Sequence, residues 1–116
     1  MGERYELGEA TWKLVERQGT RDVEMHVLVP RQQGGHTQVS ATRINAGGSY
    51  ARHVDDYSQV FCVLDGRGEA EVGGERTPLE PGVILRTSAG EPHGLWAAQD
   101  RSLVVLTVNT YPEGSA

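Results

Sequence analysis

The sequence predicts an all-β protein, a barrel or sandwich built from short antiparallel strands. Several short runs alternate apolar and polar residues with a period of two, as in residues 23–29, where Val, Met, Val and Val would share one face of a half-buried strand. Pairs such as Asp65-Gly66 and Pro81-Gly82 mark turns between these runs. The 15 glycines also argue against a helical chain, because each interior glycine costs about 1 kcal/mol in a helix.

The predicted elements follow one another at short intervals within a single domain over residues 1–116. We expect an N-terminal arm over residues 1–15, which includes an edge strand or extended segment, and a core over about residues 20–110. The strand-like runs are residues 23–29, 59–64, 68–72, 83–87 and 103–108, and a tight hairpin at Gly73-Gly74 should follow the third of them. The runs 83–85 and 103–108 are continuously apolar, so we expect those two strands to be covered on both faces.

Charge and composition exclude several classes of function. The chain carries 11 Lys and Arg against 16 Asp and Glu, a formal net charge of −5, with no basic cluster that would bind a nucleic-acid backbone. The longest apolar run, residues 103–106, is far too short for a membrane span, and the N-terminus lacks a signal-peptide pattern. A single cysteine, Cys62, excludes an internal disulfide framework. We therefore expect a cytoplasmic protein that binds neither nucleic acid nor membrane, and the scarcity of lysine beside arginine suggests a bacterial source.

The most informative stretch places histidine and acidic side chains at strand spacing. His53 and Asp55 lie two residues apart, so in a strand both project from one face. Gln59 begins the next apolar run and joins the same face if the two strands pair across the intervening turn. A second segment runs from Gly82 through a turn at residues 88–92, which delivers His93 to the start of another strand.

These two segments resemble the two motifs of the cupin superfamily. The spacing agrees at every step, and the identities also agree at Gly47, His53, Gly66, Gly82, Gly90 and His93. The sequence departs from the family pattern where Asp55 stands in place of a histidine, Gln59 in place of a glutamate and Ser88 in place of a proline. The resemblance covers roughly residues 38–108 and implies a small single-domain protein with a cupin-type jelly-roll β-barrel of two facing antiparallel sheets.

The resemblance also implies a metal site. Metal-binding cupins hold one divalent ion with histidine and glutamate side chains, and the matching residues here are His53, Asp55, Gln59 and His93. Two imidazoles and one carboxylate form the ligand set of non-haem iron proteins, and a glutamine carbonyl would be a weak neutral fourth donor. The ligand set keeps one negative charge, as in the family, and the ion could be Fe, Mn, Ni or Zn. Phe61 and Val63 share the strand face of Gln59 and should wall the pocket.

Two classes of function stay open from the sequence. The first is a small metal-dependent enzyme of dioxygenase, isomerase, cyclase or lyase type, whose ion acts as Lewis acid or redox centre on a small organic substrate. The second is a non-catalytic module that binds a small molecule in a metal-free polar pocket, where Asp55 and Gln59 hydrogen-bond each other and the two histidines. We expect a homodimer in either case, because open sheet edges need cover and the arm has apolar side chains to bury, namely Tyr5, Leu7, Trp12 and Leu14.

Overall fold

The described residues, 2–31 and 35–112 of a computed structural model, form nine antiparallel β-strands and one 3₁₀ turn at Leu7–Glu9. In chain order the strands are β1 (Lys13–Leu14), β2 (Thr20–Val29), β3 (Thr37–His53), β4 (Ser58–Gly66), β5 (Gly68–Val72), β6 (Glu75–Leu79), β7 (Ile84–Thr87), β8 (His93–Ala97) and β9 (Leu103–Thr110). The all-β prediction is therefore confirmed. Within these described ranges, no helix is long and apolar enough to cross a membrane.

The strand β3 joins the two walls of the curled sheet. Its first half pairs with β2 on one side and β9 on the other, and its second half pairs with β8. One wall therefore runs β2-β3-β9-β4-β7 and the other runs β6-β5-β8-β3. The strand changes wall near Gly47, which has a φ of +75°, where the register against β2 jumps between Ile44 and Ser49. A glycine suits this bend because residues with a Cβ rarely adopt a positive φ.

Side chains that point between the two walls form the hydrophobic core. At the closed end of the barrel, Ile44 on β3 and Leu103 on β9 lie beside each other in register and are fully buried. The facing wall contributes the buried Ala70, Leu79 and Leu95. The alternation of apolar residues that the sequence showed along β4 and β5 thus reports the inward face, as a strand period of two requires. In β2 only part of the predicted face is buried: Val23 is fully buried, whereas Val27 is 41% exposed.

The two continuously apolar runs have different environments. In β9, which lies between β3 and β4, residues 103–105 are all buried, as expected for a central strand. In β7, however, Ile84 is 65% exposed. The expectation that this strand is covered on both faces is wrong, because β7 is the last strand of its wall and, among residues 2–31 and 35–112, pairs only with β4 and has no layer over its outer face.

Close backbone approach requires glycine at the end of β4. A Cβ added at Gly66 would lie 1.8 Å from the backbone carbonyl oxygen of Ser102, and Gly66 has a φ of +88°. Gly74, in the predicted hairpin turn between β5 and β6, has nearly the same φ of +89° but nothing within 4 Å of such a Cβ. The two glycines therefore have nearly the same φ, but only Gly66 lacks room for a Cβ.

We predict that Gly66→Ala destabilises the protein clearly more than Gly74→Ala. Each substitution carries a conformational cost of about 1–2 kcal/mol for a residue with a Cβ at positive φ, whereas only Gly66→Ala adds an overpacking cost of about 1–3 kcal/mol. Urea denaturation followed by circular dichroism measures both free energies of unfolding. Equal losses in the two variants would show that Ser102 does not restrict this position.

Candidate metal centre

Two histidines face each other at the open end of the barrel. His53 is the last residue of β3, His93 is the first residue of β8, and the two are cross-strand partners. Their ring centroids lie 4.3 Å apart with an angle of 63° between the ring planes. Asp55 follows β3 by two residues, and its backbone carbonyl accepts a hydrogen bond of 2.8 Å from the Gly90 N–H in the turn before β8. The two motif segments are therefore tied together beside the histidines.

Backbone carbonyls set the orientation of both imidazoles. The Nδ1 atom of His53 lies 2.8 Å from the carbonyl oxygen of Ala51, and the Nδ1 atom of His93 lies 2.8 Å from the carbonyl oxygen of Glu91. A carbonyl oxygen can only accept a hydrogen bond, so each Nδ1 is the protonated nitrogen and donates. The Nε2 atom of each neutral ring is therefore left with a lone pair.

Both lone pairs point toward one carboxylate oxygen. The Nε2 atoms of His53 and His93 lie 3.2 Å and 3.5 Å from Oδ2 of Asp55. Among the described residues, Oδ2 of Asp55 and Nε2 of His93 are buried and have no hydrogen-bond partner. Three acceptors that face one another repel unless a proton or a metal ion lies between them. The spacing suits a metal ion, because bonds of about 2.0–2.2 Å put neighbouring donor atoms roughly 3.0–3.5 Å apart in octahedral or tetrahedral shells.

The second oxygen of Asp55 is bound by an arginine from the segment between β1 and β2. Nη1 of Arg17 donates hydrogen bonds to Oδ1 of Asp55 at 3.1 Å and to the hydroxyl oxygen of Tyr50 at 2.9 Å. Burial acts to raise the pKa of Asp55, but the two histidines and Arg17 outweigh it and hold that pKa well below its usual range. Asp55 is therefore a buried carboxylate, 7% exposed, with one oxygen engaged and the other directed at the imidazoles.

The negative charge of Asp55 also affects the pKa of His93. Burial acts to lower this pKa, but the Asp55 carboxylate and the carbonyl of Glu91 outweigh it and raise the pKa above its ordinary value. A proton on His93 and a metal ion at the cluster would both balance the charge of Asp55. They would therefore compete for the same lone pairs, as is general for histidine ligands.

The cluster opens into a small cavity between the two walls, with a volume of about 70 Å³. Its apolar wall includes Met25, Leu95 and Phe61, and the ring of Phe61 lies 5.9 Å from that of His93 between centroids. Polar side chains of β4 and β9 line the same cavity, among them Gln59, Thr107 and Asn109. This volume suits several waters or a small organic group beside an ion.

The sequence-predicted site residues have three different placements. The structure brings together His53, Asp55 and His93, whose potential ligand atoms lie within 4.8 Å of one another. Gln59 lines the cavity, and its Nε2 donates a hydrogen bond of 2.9 Å to Oδ1 of Asn109. Phe61 also lines the cavity, whereas Val63 lies deeper, in the buried core below the cavity walls.

Some residues of the site were not identified from the sequence. Thr107 and Asn109 lie on the inward face of β9, and the residues that alternate with them are apolar. Two polar residues on a buried strand face were therefore a usable signal. Arg17 lies 38 residues before Asp55, in a segment without periodicity, and no local pattern indicates the contact between them. The contact between Tyr50 and Arg17 depends on the same long-range placement.

Solved structures with the same fold show wide coverage and low identity. The chain is similar to the polyketide cyclase RemF from Streptomyces resistomycificus, with a TM-score of 0.84, 19% identity, and 99% of this chain and 83% of that chain covered. It is also similar to a predicted oxalate decarboxylase from Thermotoga maritima, with a TM-score of 0.85, 20% identity, and 95% of this chain and 100% of that one covered. KdgF from Halomonas sp. gives a TM-score of 0.75 at 21% identity, over 97% of each chain. At these identities the likeness shows the fold alone.

A comparison of sequences gives the family. No curated protein matches the chain at a significant level. The sequence profile of the family described as "Cupin domain" matches residues 41–109, which is more than half of the chain and includes the three clustered residues and Gln59. The chain therefore belongs to the cupin domain family.

Proposed function

We propose that this cupin is a metal-dependent enzyme that acts on a small organic substrate, with one divalent ion held by His53, Asp55 and His93. The observation that carries the proposal is the convergence of two Nε2 lone pairs on one carboxylate oxygen, with the tautomer of each ring set by a backbone carbonyl. Such backbone partners are the usual outer shell of histidine metal ligands.

The donor set supports a divalent transition metal. Two imidazole nitrogens and one carboxylate oxygen suit Fe, Mn, Ni or Zn, and they leave open coordination positions for a substrate. The carbonyl oxygen of Gln59 on the facing wall is neutral and would be a weak fourth donor. When bound, the ion would supply Lewis-acid or redox chemistry toward a carbonyl, an enolate or dioxygen.

The chain's own residues supply the environment for that chemistry. Met25, Phe61 and Leu95 form an apolar wall of the cavity beside the cluster, which suits a largely apolar substrate. Two similar structures carry names of enzymes for small organic compounds, a polyketide cyclase and a predicted oxalate decarboxylase. Their names support an enzyme over a binding module, and they leave the reaction type open among dioxygenase, isomerase, cyclase and lyase.

A metal-free binding module is the second candidate. Arg17 already pairs with one oxygen of Asp55, and a proton on His93 would balance the other. The cluster could then be a neutralised polar wall of a small-molecule pocket. This function needs no ion, so metal binding separates the two candidates.

The homodimer and the cytoplasmic location stay predictions. Exposed apolar side chains that a second copy would cover lie on the outer face of β4 and β7, namely Val60, Leu64 and Ile84. Light scattering at micromolar protein concentration would detect the dimer.

We predict that the metal-free protein holds both cluster histidines in the Nδ1–H tautomer at about pH 9, well above the ordinary histidine pKa of about 6.5. The carbonyls of Ala51 and Glu91 require this form. Long-range ¹H–¹⁵N correlation spectra distinguish the two nitrogens of each ring, and the exposed His36 is the control. Protonation of Nε2 in His53 and His93 would contradict the proposed direction of their lone pairs.

We predict that Asp55→Ala weakens metal binding by more than about 100-fold, beyond the 10–100-fold loss typical of an outer-shell partner. Asp55 carries the only formal charge among the proposed ligands, and charge attraction is strong in a partly dry site. His53→Ala and His93→Ala should resemble it, Gln59→Ala should keep most of the affinity, and Gln59→Glu should increase it. Calorimetry with each candidate metal on protein purified without an affinity tag measures the dissociation constants.

A matched control comes from a histidine outside the cavity. His26 contacts Thr11 of the N-terminal segment, so His26→Ala should leave the metal affinity unchanged. Wild-type affinity in Asp55→Ala would make Asp55 a structural or substrate-contacting residue. If the wild-type protein binds none of Fe, Mn, Ni and Zn, the proposed enzyme function is wrong and the metal-free binding function takes its place.

A further inference from the structure

We propose that Gln59 and Thr107 form a subsite for a neutral hydroxyl group of the ligand, on the cavity wall formed by β4 and β9. This inference rests on the proposed function, since it names the substrate class for the same cavity: a small, largely apolar molecule that carries an alcohol, enol or phenol O–H. It assigns the carbonyl oxygen of Gln59 to that hydroxyl and not to the metal ion.

A directional hydrogen-bond chain leaves the Gln59 carbonyl oxygen unpaired. Nε2 of Gln59 donates to Oδ1 of Asn109 at 2.9 Å, and Nδ2 of Asn109 donates to the hydroxyl oxygen of Tyr111 at 3.4 Å. In this arrangement the amide nitrogen of Gln59 faces Asn109, and its carbonyl oxygen is the free end. Gln59 is buried, at 7% exposure, and Oε1 has no hydrogen-bond partner among the described residues. A carbonyl oxygen only accepts, so its ligand must donate.

Thr107 supplies the complementary group. Thr107 is 5% exposed and lines the cavity, and within the described part of the chain its Oγ1 has no hydrogen-bond partner. In the register of β4 and β9, Thr107 pairs with Phe61, the next inward-facing residue after Gln59, so the two polar side chains are diagonal neighbours. Diagonal neighbours lie within reach of one small group. A hydroxyl can donate to Oε1 of Gln59 and accept from the hydroxyl of Thr107 at once.

The charge of the cavity favours a neutral ligand at this wall. Among the described residues that line it, no lysine or arginine occurs, and the only acidic side chain is Asp55. A carboxylate or phosphate placed beside Gln59 would therefore meet no cationic side chain of this wall, and burying a charge without a partner is unfavourable. The apolar neighbours Phe61 and Val105 instead suit a hydrocarbon body that carries one hydroxyl.

The position of the subsite agrees with a substrate that spans the cavity. Phe61 is the next inward-facing residue of β4 after Gln59, and its ring lies 5.9 Å from that of His93 between centroids. One end of a small ligand would therefore lie at the histidine cluster while its hydroxyl lies at Gln59 and Thr107. The subsite would orient the substrate relative to the ion.

The test compares phenol with toluene, which have nearly the same shape and differ by a hydroxyl against a methyl group. Dissociation constants come from ¹H–¹⁵N chemical-shift titration of the metal-free protein, where phenol cannot ligate an ion, and then of the metal-loaded protein. We expect phenol to bind the metal-free wild type about fivefold or more tightly than toluene, because two hydrogen bonds form that toluene cannot make. For each protein we define the preference ratio as the dissociation constant of toluene divided by that of phenol. This ratio cancels general effects of a substitution on packing.

Three variants locate the preference. Thr107→Val and Gln59→Met keep the approximate size of each side chain and remove the polar atom. Each should lower the preference ratio, the toluene dissociation constant divided by the phenol constant, to about one or less. Thr87→Val is the matched control for a buried hydroxyl next to Gln59 that does not line the cavity. Thr87 pairs with Gln59 across β4 and β7, is fully buried, and its Oγ1 has no partner among the described residues. This control should keep the wild-type ratio.

The outcomes separate this inference from the proposed function. A wild-type ratio near one, no measurable phenol binding, or equal effects of Thr107→Val and Thr87→Val would overturn the subsite, even if the protein binds metal. The expected ratios in a protein that binds no metal would support the subsite and assign it to the metal-free module. The wild-type comparison needs no variant, so it holds if one substitution fails to fold.

Discussion

Three hydrogen-bond acceptors that face one another, two of them buried, are the constraint on which this site depends. The backbone turns each imidazole so that its lone pair points at Oδ2 of Asp55, and neither ring can supply a proton from that nitrogen while neutral. Arg17 balances the other carboxylate oxygen but does not lie between the acceptors. Charge balance at Oδ2 therefore comes either from a proton on the imidazoles or from an ion.

The fold brings this cluster together by passing one strand through both walls. Because β3 bends at Gly47, its far end pairs with β8, and His53 meets His93 in register. The hydrogen bond from Gly90 to the carbonyl of Asp55 then ties the loop after β3 to the turn before β8. Asp55, which replaces a histidine of the family pattern, takes its place through backbone contacts that do not depend on its own side chain.

Sequence patterns predicted which residues share a strand face better than they predicted how deeply those residues are buried or which distant residues they contact. The alternation along β4 identified Gln59, Phe61 and Val63 as one inward face, but only the curvature of the walls separates the two cavity residues from Val63 in the core. The apolar run at Ile84 looked like a covered strand because sheet order, and thus the edge position of β7, is not a local property. Arg17 reaches Asp55 across 38 positions of the chain, where no periodicity applies.

A crystal structure of the metal-loaded protein, with anomalous diffraction data at the absorption edge of the ion, tests the central claim most directly. The account predicts one ion within about 2.0–2.3 Å of both Nε2 atoms and of Oδ2 of Asp55, while Arg17 keeps Oδ1 and Gln59 stays with Asn109. An ion bound elsewhere, or an ion at the histidines with both Asp55 oxygens turned away from it, would contradict the account.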